Sequence, residues 1–283
     1  MADNDGRRVA QNNLAVRLTT AAIVAPLLLL TMFFAPPWAW YLIVLVASVL
    51  GAYELFGMTH PHEAGARWLG VATTAALSAA LYFYTHDVRV LLTVILMVPV
   101  VGVLVPLWQL GQMETAAFRL LSGIAGPFYV GGLLTTIALI HRDMGAVGPH
   151  YVVMTLMFAW LGDTGGYFAG RAFGRVKLYE AVSPKKTREG FIGSLGGSVA
   201  GALLAHFWYL PEIPLLDAIV LAVVGGALGQ LGDLSESVLK RSMGVKDSGQ
   251  LVPGHGGILD RIDALLVTSP VVYLYTLWAK PGL

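Results

Sequence analysis

Residues 89–109, RVLLTVILMVPVVGVLVPLWQ, are apolar at almost every position and contain no charged side chain after Arg89. An α-helix needs about 20 residues to cross the hydrocarbon core of a bilayer, so this stretch is long enough to span a membrane. The composition agrees, because 56% of the 283 residues are hydrophobic and only 12% are charged, whereas soluble domains carry about 25% charged residues. The sequence therefore predicts an all-α, polytopic integral membrane protein.

Other hydrophobic segments of similar length give a total of about nine predicted transmembrane helices. The first of them is followed by the bulky Pro36–Pro37–Trp38 rather than by small residues, which favours an uncleaved helix over a signal peptide. The predicted spans lie near residues 15–35, 38–57, 68–85, 89–109, 119–140, 151–170, 191–209, 217–239 and 262–279.

The distribution of Lys and Arg predicts the orientation of these spans. With the N-terminus in the cytoplasm, fifteen of the eighteen Lys and Arg residues fall at inner connections, and only Arg89, Arg142 and Lys280 fall outside. Such an excess is typical of cytoplasmic loops.

The net charge of +1 provides no overall field that would attract nucleic acid. Cysteine is absent, so disulfides and thiolate metal sites are excluded.

The stretch KDSGQLVPGHGGILDRID, residues 246–263, gathers ionisable groups in an otherwise apolar chain. Its proline and glycines interrupt a helix, and a new helix that begins near Asp260 would direct its first N–H groups towards an anion. Asp260 and Asp263 could join Asp233 in a carboxylate cluster, and carboxylates favour hard cations such as Mg²⁺. The alternative is a solvated charged loop.

An ionisable group inside a predicted span is costly and is a functional candidate by default, and two such carboxylates, Asp163 and Glu54, each have two interpretations. Asp163, in FAWLGDTGGYFAG, could serve function or could mark a packing face formed by Gly166 and Gly170. Glu54, in GAYELFGM, could serve function or could bond a neighbouring helix at the membrane interface.

The polar residues at the end of the eighth span are spaced to share one helix face. Asp233, Glu236, Ser237 and Lys240 stand at positions i, i+3, i+4 and i+7. Such a face suits a water-filled cavity, although Lys240 and Arg241 could equally mark an ordinary helix end that emerges into solvent.

A second basic stretch, SPKKTREG at 183–190, supplies cations that could hold phosphate. Lys185 and Lys186 follow a Ser-Pro turn, whereas Arg175 and Lys177 fit topology determinants or contacts to lipid headgroups. Cations for phosphates, carboxylates for Mg²⁺ and a hydrophobic body together favour phosphoryl or nucleotidyl transfer on a lipid. The sequence contains no P-loop, GxGxxG, HExxH or GxSxG pattern.

The run SVLKRSMGVKDSGQLVPGHGGILDRID, residues 237–263, resembles the signature of the phosphatidate cytidylyltransferases, also called CDP-diacylglycerol synthases. GDTGGYFAGRAFG, SPKKTREGFIGSLGG and QLGDLSES also resemble motifs of that family. The resemblance implies transfer of CMP from CTP to phosphatidate, with release of pyrophosphate, for phospholipid biosynthesis. It further implies a Mg²⁺-dependent homodimer in a bacterial-type inner membrane, with the active site in the cytoplasm, and it allows a second, monovalent cation such as K⁺.

The resemblance also implies roles for individual residues. Those expected to act in catalysis are Asp233, Lys240, Lys246, Asp260 and Asp263, and those expected to bind Mg²⁺ are Asp163, Asp233, Asp260 and Asp263. The residues expected to bind substrate are Ser183, Lys185, Lys186, Arg241, Asp247, His255 and Arg261. We expect one integrated membrane domain with about five N-terminal helices in residues 1–150 and a catalytic region with cytoplasmic loops in residues 151–283.

Two other functions fit parts of the pattern. A CTP-dependent lipid kinase, such as a polyprenol or phytol kinase, shares some of these elements. A transporter would also combine glycine-broken helices with buried carboxylates, although no inverted repeat is visible and the charges gather near one leaflet.

Overall fold

A computed structural model describes residues 24–251 and 256–279 of the chain. Each hydrophobic segment predicted from the sequence contains a helix in this part of the chain. The helices are α1 (Val24–Phe34), α2 (Pro37–Thr59), α3 (Ala64–Phe83), α4 (Val88–Trp108), α5 (Ala116–Pro127), α6 (Leu133–Asp143), α7 (Gly148–Phe173), α8 (Arg188–Leu204), α9 (Leu215–Ser242) and α10 (Leu259–Ala279).

Helices α5 and α6 form one continuous segment, because a π-helical turn at Phe128–Gly132 joins them without a loop. A second π-helical turn, Ala205–Tyr209, extends α8. Within the described residues, six helical segments are long and apolar enough to cross a membrane: Pro37–Thr59, Val88–Trp108, Met113–Asp143, Arg188–Tyr209, Leu215–Ser242 and Leu259–Ala279. The all-α membrane architecture is therefore confirmed, but the count of nine spans is not.

The helices outside this set differ from it in length or polarity. The described part of α1 has only the residues Val24–Phe34. Helix α3 contains Arg67 and several Thr, Ser and Gly residues, and α7 contains Asp163, Arg171 and a run of glycines. These residues lower the mean hydropathy of α3 and α7 even though both helices reach spanning length.

One element was not predicted. Residues 171–190 read as a loop, but strands β1 (Lys177–Tyr179) and β2 (Ser183–Thr187) pair there as an antiparallel hairpin. The Lys177 ammonium donates to the Pro184 carbonyl at 2.5 Å and so bridges the two strands. Thr187 ends the hairpin and caps α8, because its hydroxyl accepts a hydrogen bond from the Gly190 amide. The hairpin is thereby tied directly to the start of α8.

Helices α7 and α8 pack closely because small residues face each other along their contact. A Cβ atom added at Gly165 would lie 2.4 Å from the Gly193 carbonyl oxygen, and one at Gly197 would lie 2.0 Å from the Leu161 carbonyl oxygen. The Ser198 hydroxyl also donates to the Phe158 carbonyl at 2.8 Å. This is the small-residue packing that membrane helices use when no hydrophobic force draws them together. The structure therefore contains a packing face of small residues around Asp163, as the sequence predicted.

Polar side chains connect the remaining helices at intervals through the apolar core. Ser78 and Thr135 link α3 to α6 through their hydroxyls, which lie 2.6 Å apart. Thr136 donates to Ser269 at 2.9 Å, which links α6 to α10, and Thr268 donates to the Gly225 carbonyl of α9. Helix α10 therefore lies between α6 and α9 and brings its N-terminus to the end of the bundle where α9 finishes.

The tight contact between α7 and α8 gives a prediction with a matched control. Gly197→Ala should lower the free energy of unfolding by about 1–3 kcal/mol, because its methyl group would press on backbone atoms that cannot move aside. Gly196→Ala, one residue earlier on the same helix, should be neutral or slightly stabilising, since nothing lies within 4 Å of its Cβ position. Thermal unfolding in detergent measures both, and equal stability of the two variants would contradict the packing described here.

Candidate active site

A cavity of about 410 Å³ opens between α7, the hairpin, α8 and α9. Its wall combines carboxylates, cations and polar groups with aromatic side chains. The polar and aromatic residues that line it include Asp163, Tyr167, Arg171, Lys185, Lys186, Phe191, Gln230 and Asp233. The structure thus brings two of the predicted carboxylates and both lysines of the SPKKT stretch to one space.

Two contacts set the geometry of this cavity. The Lys186 ammonium lies 2.6 Å from Oδ2 of Asp233, and both side chains are partly exposed. The Gln230 amide, one turn before Asp233 on α9, donates to Oδ1 of Asp163 at 2.9 Å. Hairpin, α9 and α7 are therefore joined across the cavity by direct polar contacts.

Asp263, in the first turns of α10, lies close to the same cavity. Its backbone lies against α9 next to Asp233, since a Cβ atom added at Gly232 would lie 3.0 Å from the Asp263 carbonyl oxygen, and its Oδ1 atom accepts from the Ala264 amide at 2.7 Å. Three carboxylates therefore come from three different helices. Their mutual repulsion is relieved in part by Lys186 and would be relieved further by a bound cation.

The other end of the polar face of α9 serves a different purpose. Lys240 is buried between two carboxylates, with its ammonium 2.5 Å from Oε2 of Glu236 and 2.5 Å from Oδ1 of Asp260. The predicted common face of α9 is present, but only its first part reaches the cavity. A role for Lys240 in binding phosphate remains a prediction, and its ammonium already has two anionic partners.

Asp260 is surrounded by donors on both carboxylate oxygens. Oδ1 faces Lys240, and Oδ2 accepts from the Ser248 amide at 3.0 Å, the Ser248 hydroxyl at 2.9 Å and the Gly257 amide at 2.9 Å. A carboxylate offers about four acceptor positions, so little capacity is left for a metal ion. These contacts favour a structural role for Asp260, and its predicted role as a metal ligand is not tested by them.

Glu54 approaches the same segment from α2. It is 5% exposed, and its carboxylate accepts from the Ser248 hydroxyl at 3.1 Å, the Ile258 amide at 3.1 Å and the Leu259 amide at 2.8 Å. The bond to a neighbouring helix, one of the two interpretations of Glu54, is therefore present at the start of α10, and it does not exclude a role in function.

The expected anion site at the start of α10 is not formed as predicted. The amides of Ile258 and Leu259 donate to Glu54, and that of Gly257 donates to Asp260. A free helix N-terminus attracts an anion because its first N–H groups have no partner. Here two carboxylates of the chain itself have taken those N–H groups, so this part of the prediction is wrong.

The remaining predicted substrate residues lie at the surface of the same end of the bundle. Lys185, Arg241, Lys246, Asp247 and Arg261 are exposed, and Ser183 is half-buried in β2. Arg241 donates to the Val245 carbonyl at 3.1 Å. His255 lies outside the described residues. The described residues of 246–263 do not line the cavity, so its walls opposite the hairpin are α7 and α9.

A magnesium site fits this donor set only with oxygens from a substrate. Within residues 24–251 and 256–279, no three His, Asp or Glu side chains are placed to bind one metal ion. Mg²⁺ does not need three, since it is usually held by one or two carboxylates together with water and substrate phosphates. Asp163 and Asp233 supply two carboxylates beside cations that suit phosphate, so the residues present fit Mg²⁺ accompanied by a phosphorylated ligand.

Comparison with known proteins places the chain in a family. Residues 15–278 match the model of the cytidylyltransferase family. The chain belongs to that family. It is 37% identical over 213 residues to a phosphatidate cytidylyltransferase of Synechocystis, covering 65% of this chain and 72% of that protein. It is 43% identical over 125 residues to one of Staphylococcus saprophyticus, covering 44% and 48%, and 39% identical over 165 residues to one of Brucella suis, covering 56% and 58%.

The match spans about half the length of the staphylococcal and Brucella relatives. The family to which the sequence was assigned by resemblance is confirmed. Sequence reasoning missed Gln230 and Tyr167 as parts of the cavity, although both stand within or beside the quoted motifs. It also missed the anchoring of the 248–259 segment by Glu54, for which the only local signal was a carboxylate within an apolar helix.

The two aspartates of the signature region should respond differently to the loss of their charge. Asp260→Asn leaves one acceptor oxygen for three backbone and side-chain donors and Lys240, so we expect loss of turnover together with about 1–3 kcal/mol of stability. Asp233→Asn should lose turnover at unchanged stability, because Asp233 is partly exposed and pairs only with Lys186 among the described contacts. Thermal unfolding and turnover across a Mg²⁺ titration measure both effects.

Added Mg²⁺ should partly restore Asp233→Asn and should not restore Asp260→Asn. An Asp260→Asn protein as stable as the wild type, with turnover recovered by high Mg²⁺, would show instead that Asp260 is a metal ligand.

Proposed function

We propose that this chain is a phosphatidate cytidylyltransferase, which transfers CMP from CTP to phosphatidate and releases pyrophosphate. The observation that carries the proposal is the cavity in which Lys185 and Lys186 of the hairpin meet Asp163 and Asp233 of two helices. The names of the relatives, all phosphatidate cytidylyltransferases, support it.

The reaction needs little from a general base. An oxygen of the phosphatidate phosphate, which is anionic at neutral pH, forms a bond to the α-phosphorus of CTP. The bond from that phosphorus to the oxygen that bridges to the β-phosphate breaks, and its electron pair leaves with pyrophosphate. The difficulty is electrostatic, because two anions must approach and a third must leave with additional charge.

The residues of the cavity address that difficulty. Lys185, Lys186 and Arg171 bring positive charge to the space in which the phosphates would lie. Bound Mg²⁺ would neutralise phosphate charge, and Asp163 and Asp233 of the cavity wall are the residues that would hold it. The role of Asp263 as a further ligand stays a prediction. The contact between Lys186 and Asp233 keeps the phosphate-binding and metal-binding groups next to each other.

Magnesium dependence, homodimer formation and the use of a monovalent cation enter this proposal from the family resemblance. Dependence on each cation is measured by its omission from the assay, and the oligomeric state is measured by light scattering of the protein in detergent. A monomer with full activity would remove the dimer from the proposal.

A direct test follows the fate of CTP. Purified protein is incubated with phosphatidate, Mg²⁺ and CTP labelled either in the cytosine or in the γ-phosphate, and the lipid product is separated. We expect the cytosine label in the lipid and the γ label in pyrophosphate. Transfer of the γ-phosphate to a polyprenol or phytol would support the lipid kinase instead. CTP that is neither consumed nor protective against thermal unfolding would favour a transporter.

The hairpin cations give a prediction with an internal control. Replacing Lys185 or Lys186 by Ala removes charge-assisted phosphate contacts worth about 1.5–3 kcal/mol each, so catalytic efficiency should fall about 10- to 150-fold. Arg175→Ala should cost little, because Arg175 stands before the hairpin, outside the residues that line the cavity. Steady-state kinetics with both substrates decide it, and equally small losses in all three variants would remove the hairpin from the active site.

We further propose that the cavity opens to the cytoplasm of a bacterial inner membrane, as the distribution of Lys and Arg indicates. The chain has no cysteine, so single cysteines report sidedness directly. Arg175→Cys, before the hairpin, and Tyr84→Cys, between α3 and α4, should react with a membrane-impermeant thiol reagent from opposite sides, with Arg175→Cys reached from the cytoplasm. Labelling of both from one side would refute this orientation.

A further inference from the structure

Glu54 lies far in sequence from every motif of the proposed active site, yet its carboxylate is directed into one of them. It belongs to α2, is almost fully buried, and accepts one hydrogen bond from a side chain and two from backbone amides of the segment that leads into α10. Its partners are Ser248, Ile258 and Leu259. All three lie in the run that resembles the family signature.

Two glycines of that run, Gly249 and Gly257, lie directly against the same carboxylate. A Cβ atom added at Gly249 would lie 2.3 Å from Oε1 of Glu54, and one added at Gly257 would lie 2.4 Å from Oε2. Real Cβ atoms do not approach an oxygen so closely. The backbone on both sides of residues 252–255 therefore reaches Glu54 because it has no side chain at these two positions.

The position of α10 depends on these contacts. Leu259 is the first residue of α10, and Asp263 follows one turn later on the same helix. A helix start held at Leu259 thus also fixes Asp263 against α9, where a Cβ atom added at Gly232, the residue before Asp233, would lie 3.0 Å from the Asp263 carbonyl oxygen. Asp260, which holds Ser248 and Gly257, joins the same segment to Lys240 of α9.

We propose that Glu54 is a positioning residue of the active site: it anchors Ser248, Ile258 and Leu259 and thereby places Asp263 beside Asp233 and Asp163. This inference rests on the proposed function for its activity measurements, but the anchoring itself is measured without turnover. Glu54 is not offered as a catalytic residue, because its acceptor atoms are directed at the chain and lie outside the cavity lining.

The first experiment replaces the carboxylate by an amide. Glu54→Gln has a single acceptor oxygen, so at least one of the three donors loses its partner. We expect hydrogen–deuterium exchange at the amides of residues 257–262 to accelerate about 10- to 100-fold, the change that one lost hydrogen bond to a charged group produces. Exchange in the hairpin, residues 177–187, should stay unchanged.

Turnover should change in a way that reveals a displaced metal site. For Glu54→Gln we expect kcat to fall about tenfold or more and the Mg²⁺ concentration for half-maximal activity to rise. Ser48→Ala is the matched control on α2, since the Ser48 hydroxyl is buried but donates only to Val44 of its own helix. It should leave both the exchange and the Mg²⁺ dependence at wild-type values.

A second pair of variants tests the contact sterically and stays informative if Glu54→Gln does not fold. Gly249→Ala should accelerate exchange at 257–262 and lower kcat, because its methyl group collides with Glu54. Glu54→Asp shortens the side chain by one methylene, so the double variant should recover activity beyond the product of the two single effects.

The possible outcomes distinguish failure of the positioning proposal from failure of the proposed function. Unchanged exchange in Glu54→Gln, or accelerated exchange with kcat and Mg²⁺ dependence unaltered, would overturn the proposal, as would additive effects in the double variant. A wild-type protein that transfers no CMP would instead refute the proposed function, and the exchange experiment would still show whether Glu54 anchors the segment.

Discussion

An ionised carboxylate in an apolar helix bundle must find donors, and this constraint shapes the end of the molecule where the cavity lies. Insertion of such a group into a span costs about 2.5–3.5 kcal/mol, and each hydrogen bond to a charged group returns about 1.5–3 kcal/mol. Glu54 accepts from three donors and Asp260 from four, and the single Ser248 hydroxyl hydrogen is shared between them. Ser248, Gly257 and Ile258, which lie between α9 and α10, supply most of them, so the positions of these residues follow the two carboxylates.

Helix α9 joins this internal network to the cavity. Gln230 and Asp233 are directed at Asp163 and Lys186 across the cavity. Lys240, two turns after Asp233, is buried between Glu236 and Asp260. The polar face of α9 therefore first lines the cavity and then, further along the helix, forms the buried ion pairs. A displacement of α9 would disturb both at once, which couples the geometry of the cavity to the integrity of the buried ion pairs.

The sequence predicted the helices well because long apolar runs leave the backbone no other way to satisfy its own hydrogen bonds in a membrane. It did not predict the hairpin, since SPKKT has neither apolar alternation nor a typical turn, and its partner strand has only three residues. The cavity was anticipated through Lys185, Lys186 and Asp233. The partners of Glu54 were not anticipated, because they lie about 200 positions away along the chain. Local sequence patterns carry no information on such distant pairs.

The failed expectation at the start of α10 shows what spacing alone leaves open. Glycines before a helix that begins with an acidic residue suit a phosphate at the N-terminus, and they suit equally a buried carboxylate brought from elsewhere in the fold. The two cases differ in what lies against the glycines, and here Gly249 and Gly257 lie against Glu54. Part of the run that resembles the family signature thus holds the chain in place, while its cations Arg241, Lys246 and Arg261 are exposed. The residues of a strong motif in a membrane enzyme can therefore serve internal hydrogen bonds and ion pairs as much as contacts to substrate.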